Sequence, residues 1–473
     1  MDDPRCAGCR ARDVRIAELE AQVAEQQRRV AALEATVREL QAQLNRNASN
    51  SSVPPSANPL NAPPPVVKQP TGRKRGGQPG HPGHTRPLLP PEQVRETIAF
   101  IPTTCQRCQA LLPATAGPQD PEPIRHQVIE LPPVLAYATE YQAHGRTCPC
   151  CGEVTWEKIP DSVRAQGFGP CFTATVGYLS AVPHISKRGI QEMFASVFRA
   201  PRALGSVANI EQEVSAALAP AHAEALAAVR AAPVKHADET GWEDHGWLWA
   251  AATATVVCFV IHPKRGLAGL LALLGKKIKG ILCSDRWAVY ARWLAQRRQV
   301  CWAHLKRDFQ KVVDRGGAGQ ELGEAGLACV QLLFHWWHAY RGGGISRQQL
   351  QQELEPVRAE LTAWLRQGCA SSDSKLANFC TNLLKLEPAL WTFLYKDGVE
   401  PTNNHMERLL RSGVLWRKIS FGCDSEAGCR FVERSLTVVQ TLRLQKRPVL
   451  DFLRDAVRAH RLGQPAPKLV VSG

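Results

Sequence analysis

Apolar residues fall in several different rhythms along this chain, and each rhythm predicts a different element. Between residues 13 and 47 they recur in heptads. Ile16, Val23, Val30, Val37 and Leu44 occupy one seam position; Leu19, Leu33 and Leu40 occupy the other, with Gln26 as the polar intruder. β-Branched residues at the first position with leucine at the second favour a parallel two-stranded coiled coil. A homodimer through this helix is the expectation, and an amphipathic helix packed on its own protein is the plainer alternative. From residue 232 the texture becomes short apolar runs. Val234 to Trp242, Trp247 to Thr255 and Val256 to His262 read as three consecutive strands. A helix-like stretch, Gly266 to Gly275, follows, then a strand from Ile278 to Ser284, a helix from Trp287 and a strand from Gln299 to Ala303. Ala-Thr-Ala-Thr between the second and third strands contains no Gly, Asn or Pro, so the break there is poorly marked. Helical periodicity then dominates, including Glu324 to Tyr340, Arg347 to Arg366, Arg430 to Leu444 and Val449 to His460.

Between the heptads and the strands the chain changes character repeatedly. Residues 48–99 form a proline-rich linker containing Arg73, Lys74 and Arg75 between glycines, a patch suited to phosphates or a minor groove. Residues 100–160 carry Cys105-x-x-Cys108 and Cys148-x-x-Cys151, four thiolates with the ligand spacing of a structural zinc site. The 39 residues between the knuckles exceed the usual ribbon gap, so short strands such as Arg125 to Leu131 and Ala136 to Ala143 are expected to fill it. Cys150 is an alternative ligand, and Cys6-x-x-Cys9 alone is a weak metal signal. Residues 161–231 look helical. Ser186 to Phe198 and Ser206 to Leu218 flank a short turn in the manner of a helix-turn-helix, the other reading being a helical spacer packed on the next domain.

The expected organisation is a multidomain α+β protein. A coiled-coil helix (1–47) and the basic linker (48–99) precede a zinc-ribbon-like domain (100–160) and the helical segment (161–231). A sheet domain follows in two parts, 232–310 and 396–446, around a helical insertion (311–395), and a C-terminal helix and tail (447–473) close the chain. Strands first and then alternating helix and strand is the order of a ribonuclease-H-like fold.

Charge narrows the partner. The 58 Lys and Arg against 43 Asp and Glu leave +15, which directs attention to a polyanion, first to nucleic acid. The longest apolar stretch, Trp247 to Ile261, is too short to span a bilayer, so no membrane role is expected. The polar N-terminal residues have no secretion-signal pattern, and the scattered cysteines read as reduced thiols and metal ligands in a cytoplasmic, nucleoid-associated protein.

The chemistry resides in three carboxylates. Asp238 and Asp285 each end an apolar, strand-like run. Glu407 falls in the first turn of a predicted helix behind Asn403 and Asn404, good N-cap residues. In a ribonuclease-H-like sheet the first and fourth strands are neighbours, so the two aspartates would converge. Three such side chains can hold two Mg²⁺ or Mn²⁺ ions and act on phosphodiesters by in-line displacement. Asp308, Glu426 and Glu433 are rivals for the third position, whereas Glu239 should face the other side of its strand. Arg408, Arg411, Arg417 and Lys418 suit phosphate clamping. His304 is read as a phosphate or proton contact or as a packed histidine.

Taken in order, His-Ala-Asp-Glu-Thr-Gly-Trp, Ser-Asp-Arg-Trp-Ala-Val-Tyr, Cys-Trp-Ala-His-Leu-Lys-Arg-Asp-Phe, Asn-Asn-His-Met-Glu-Arg and Arg-Lys-Ile-Ser-Phe-Gly resemble the transposases of the insertion sequence sixty-six family. The linker words Asn-Ser-Ser-x-Pro-Pro-Ser and Lys-Arg-Gly-Gly-Gln-Pro-Gly-His fit as well, with Val53 where a basic residue is common. The resemblance implies a DDE-type transposase acting on double-stranded DNA, both element ends and target. Its triad would fall on Asp238, Asp285 and Glu407, and its zinc ligands on Cys105, Cys108, Cys148 and Cys151. It also implies small companion proteins of the same element. The competing reading is a catalytically silent, zinc-containing dimeric DNA-binding regulator.

Overall fold

The computed structural model describes residues 7–44, 87–242, 246–277, 279–293, 295–420, 422–423 and 425–471. The linker patch Arg73, Lys74 and Arg75, and Cys6 of the N-terminal cysteine pair, lie outside these residues. In chain order the strands are β1 (Gly145–Thr147), β2 (Val154–Trp156), β3 (Val234–Gly241), β4 (Trp247–Ala252), β5 (Val257–His262), β6 (Ile281–Ser284) and β7 (Arg298–Val300).

The last five strands form one sheet in the order β5-β4-β3-β6-β7. The first three run antiparallel as a meander, and β6 and β7 are added in parallel to β3. A parallel neighbour needs a crossover, which the helix Leu267–Leu274 supplies between β5 and β6. β4 and β5 are buried almost throughout because both faces of the sheet are covered. The helices Leu204–Ala231 and Glu426–Leu444 pack on each other and on β5, and the helix Asn404–Ser420 lies against β3 and β4. This is the mixed α+β arrangement expected for the sheet domain.

The poorly marked turn between β4 and β5 is closed by a threonine. Thr253 Oγ1 accepts the amides of Thr255 and Val256, and the Thr253 amide bonds Val256 O at 2.8 Å. A short hydroxyl side chain thus takes the place that Gly or Asn usually fills. The strand boundaries fall within a few residues of those the hydrophobic runs suggest.

Three features differ from the sequence expectation. The strands expected at Arg125–Leu131 and Ala136–Ala143 do not form; residues 121–144 run without strand pairing. Pro121, Pro123, Pro132 and Pro133 interrupt the ladder donors there. Ile124, Val128, Leu131 and Tyr137 also have no core beneath them and are exposed. The second helix of the helix-turn-helix pattern does not stop at Leu218 but continues through Pro220 to Ala231. It buries Val214, Leu218, Ala221, Ala225 and Val229 in the core that holds the sheet. Arg461 of the last helix, Val449–Arg461, ties this region together through Glu213 at 2.6 Å and Phe168 O at 2.7 Å. Finally, Cys423 and Cys429 form a disulfide, against the expectation of reduced thiols.

The helices Trp302–Arg315, Gln320–Arg341, Arg347–Cys369 and Ser374–Lys385 follow β7 and surround a second apolar core that includes Phe309, Leu333, Leu354 and Trp391. Ser346 and Gln349 form a capping box at the start of the third of these. At the N-terminus a single helix spans Ala7–Leu44, and Val23, Val30 and Leu33 of its seam are 55%, 52% and 65% exposed. No described helix is long and apolar enough to cross a membrane.

Candidate active site

The pairing of β3 with β6 sets the position of the two aspartates. His236 is in register with Cys283 on the parallel neighbour. Two residues further along each strand come Asp238 and Asp285, so the same register carries both carboxylates to one end of the sheet, on strands about 4.8 Å apart. Asp285 lies just past the end of β6, where one carboxylate oxygen accepts the Trp287 amide at 3.0 Å. The Asp285 carbonyl accepts from Arg298 at 3.1 Å. Arg298 is fully buried, and its Nε and Nη1 have no hydrogen-bond partner among the described residues.

Glu407 comes from the helix Asn404–Ser420, near enough for its charge to act on Asp238, although among the described residues the three carboxylates do not have oxygens all within 4.8 Å of one another. Gly413 allows that helix to approach the sheet: a Cβ there would lie 2.3 Å from Leu248 of β4. At the helix start the Asn403 carbonyl accepts the amides of Met406 and Glu407, as an N-cap residue does. Its side chain, expected to cap, acts elsewhere. Asn403 is buried, donates to Ala237 O at 2.9 Å and meets His236 Nδ1 at 3.0 Å, so it ties the helix to the two residues preceding Asp238. Its own amide donates to Cys301 Sγ at 3.1 Å, which adds the end of β7 to the same knot.

Asp238 registers the crowding electrostatically. Burial, then Glu239, Asp285 and Glu407 in that order hold its carboxyl well above the usual range, against the lowering effect of the Glu239 amide. No cationic side chain is paired to Asp238 among the described residues, whereas Glu239 has Arg265 and Glu407 has Arg307 beside it. Glu239 belongs to the opposite face, where Arg265 binds it at 3.0 Å and Tyr290 donates to it at 2.7 Å. Arg265 itself lies 4.5 Å from the centres of both the Trp247 and Trp287 rings.

Beside Glu407 stand His304 at 3.4 Å and Arg307 at 3.9 Å, both from the first turns of the helix that starts at Trp302. Cys301 precedes that helix, and the ligating atoms of Cys301, His304 and Glu407 all lie within 4.8 Å of one another. Burial and the Arg307 guanidinium push the His304 imidazole down, while burial lifts the Cys301 thiol to about 11. The Cys301-x-x-His304 spacing is the sequence signal that marks this group.

The rival carboxylates are engaged elsewhere. Asp308 pairs with Arg286 and Lys311. Glu426 is exposed beside Arg430. Glu433 is buried, accepts the Ile261 amide of β5 and pairs with Arg430 at 2.7 Å. Glu433→Ala leaves a buried amide unpaired and should cost about 1–3 kcal/mol of stability. Its loss should appear in thermal unfolding, whereas Glu426→Ala should unfold as wild type does.

Of the basic residues behind Glu407, Arg408, Arg411 and Lys418 are exposed, spaced to share one face of the helix. Arg417 instead turns inward to the Gly241 carbonyl and Thr240 Oγ1. In the cysteine knuckles, the Cys105 amide bonds Ala110 O, and β1 and β2 flank Cys148 to Cys151 as a small hairpin. Backbone N–H groups of Cys108 and Arg107 lower the Cys105 thiol, and those of Cys151 and Cys150 lower Cys148. Among the described residues no three of these four sulfurs share one cluster.

Comparison with known proteins matches residues 167–430, more than half of the chain and including all three carboxylates, to the family described as Transposase IS66 family. Residues 8–87 match a family of unknown function, DUF6444. A protein of Sinorhizobium fredii named "Uncharacterized protein y4qI" is 27% identical over 253 residues, which is 49% of this chain and 46% of that protein. The match thus spans about half the length of that relative.

Proposed function

The chain belongs to the IS66 family of transposases, and from that membership we propose that it cleaves and joins DNA strands at the terminal inverted repeats of an insertion sequence. What supports the chemistry is the parallel pairing of β3 with β6, which brings Asp238 and Asp285 towards each other, with Glu407 close enough for its charge to act on Asp238. The acidic surroundings of Asp238 and the all-oxygen donor set fit hard divalent cations. Two magnesium or manganese ions bound there would activate the attacking hydroxyl and stabilise the leaving oxygen. The protein's own contribution is placement. The sheet fixes both aspartates, Asn403 fixes the helix that carries Glu407, and Arg408, Arg411 and Lys418 bind backbone phosphates outside the cluster.

The remaining modules serve the pairing of two element ends. An uncovered heptad seam supports a homodimer through the N-terminal helix. Cys105, Cys108, Cys148 and Cys151 would hold a structural zinc ion, for which the lowered Cys105 and Cys148 thiols are prepared. The linker residues Arg73, Lys74 and Arg75 would add phosphate contacts, and companion proteins of the element would act beside the transposase. Leu19→Lys with Leu33→Lys should convert a dimer to monomer in sedimentation; an unchanged mass would remove the coiled coil from the account.

The test of function is supercoiled plasmid carrying the element ends, incubated with the protein and either Mg²⁺ or Mn²⁺. Nicking at the ends that stops with a chelator supports strand cleavage. Binding of the ends without nicking under any divalent ion supports the silent regulator.

A further inference from the structure

Glu407 faces two sets of partners. Towards the sheet are the aspartates; towards the helix at Trp302 are a thiol and an imidazole. Glu407 Oε1 and His304 Nδ1 are both buried, lie 3.4 Å apart and satisfy no hydrogen bond. Two unpaired buried polar atoms at that separation need an explanation. Cys301 Sγ completes a group whose three ligand atoms lie within 4.8 Å of one another. The edge of a tetrahedral zinc site with bonds of about 2.0–2.3 Å is roughly 3.3–3.7 Å, so the nitrogen–oxygen pair already has the right spacing.

The scaffold around this group is fixed independently. The Trp302 amide donates to Pro401 O at 2.9 Å and the Asn403 amide to Cys301 Sγ at 3.1 Å, which fasten the two helix starts to each other. Cys301 and His304 are three residues apart across the first turn of one helix, and Glu407 enters from the first turn of the other. Arg307, 3.9 Å from Glu407, is the nearest competing charge.

We infer that Cys301, His304 and Glu407 form a second metal site, selective for zinc, which shares its carboxylate with the magnesium cluster so that bound zinc withdraws Glu407 and silences strand cleavage. Sulfur and imidazole ligands prefer zinc over magnesium, which takes oxygen. Thiolate, carboxylate and neutral imidazole together neutralise a divalent ion and leave a fourth position open. Binding releases the thiol proton to solvent. The inference rests on the proposed function only where it assigns Glu407 to catalysis; the zinc site itself stands on geometry alone.

The full chain, stripped of metal and dialysed against buffered zinc, is compared with Cys301→Ser and His304→Gln by counting bound zinc. A serine hydroxyl can still accept the Asn403 amide, and circular dichroism confirms folding; His304→Gln serves if the serine variant does not fold. Zinc on the four knuckle cysteines contributes equally to all three proteins. Wild type should hold about one zinc more per chain than either variant. Zinc should also lower Mn²⁺-dependent nicking by wild type at least about tenfold relative to the same protein without zinc, and each variant should resist it. Equal zinc counts overturn the site. A higher wild-type count with nicking unaffected by zinc overturns the sharing of Glu407. If no protein nicks DNA with any ion, the proposed function fails, while the zinc count still decides the site.

Discussion

Alanine at Asp238, Asp285 or Glu407 should each remove strand cleavage while leaving DNA binding and thermal stability close to wild type. The three residues contribute ligands, not packing. Losing an outer-shell partner of a metal ligand alone costs about 10–100-fold, so removal of a ligand should exceed about 100-fold in the nicking rate. Asp285→Ala also takes the acceptor from the Trp287 amide and should melt lowest of the three, with the other two at the wild-type temperature. Asp238→Ala removes a carboxylate that burial and its acidic neighbours already disfavour in its charged form. It is expected to leave stability unchanged or slightly raised near neutral pH, where the linkage runs against the charged group: the unfolded chain ionises more readily than the folded one. Alanine variants that bind the ends, melt like wild type and do not nick would show the three carboxylates working as a unit. A single variant that keeps the wild-type rate would remove that residue from the cluster. If the residue is Glu407, Asp308 is the next acid to test.

The second large effect should come from a residue that touches no DNA. Asn403→Ala cuts the side-chain ties to Ala237 O and His236. Each buried group left unpaired costs about 1–3 kcal/mol, so a clear fall in melting temperature is expected. Stability alone would describe any buried amide. The positioning role predicts in addition that the Mn²⁺ concentration for half-maximal nicking rises, because Glu407 is no longer held against the strand that carries Asp238. Asn403→Asp keeps an acceptor for His236, loses the donor to Ala237 O and adds a negative charge. It should shift the metal requirement as well. A variant that melts earlier but keeps the wild-type metal requirement would reduce Asn403 to a structural pin.

The central sheet was legible in the sequence because its strands follow from local pattern. Apolar runs marked β3, β4 and β5, and Asp285 falls just past the end of β6 as its run suggests, whereas Asp238, expected at a strand end, lies inside β3 opposite Ala250 of β4. The helix start that carries Glu407 was legible from Asn403 and Asn404. What the pattern could not give depends on contacts distant in sequence. Asn403 reads as a cap, since Asn is a good capping residue, but the strand 166 and 167 residues earlier takes its side chain. Arg417 reads as one more phosphate ligand, whereas the end of β3 draws it inward. Glu433 looks like a surface acid among arginines and proves to be a buried acceptor for an amide of β5. The stretch from Arg125 to Ala143 shows the converse failure. Its apolar residues satisfy a strand pattern, but prolines and the lack of any packing surface leave them unpaired and exposed. Strand propensity of this kind reflects fit to a partner surface more than an intrinsic backbone preference.

The central claim, that this chain moves DNA by means of three convergent carboxylates, is tested most directly by transposition in cells. A marked donor element is supplied with the protein, with and without companion proteins of the element. Wild type is compared with the Asp238→Ala, Asp285→Ala and Glu407→Ala variants at equal protein level, with Glu426→Ala as the control, an exposed acid from the same region. The account predicts movement with wild type and the control, and none with the three triad variants. Movement that survives Glu407→Ala, or wild type that moves nothing with the companions present, would contradict it.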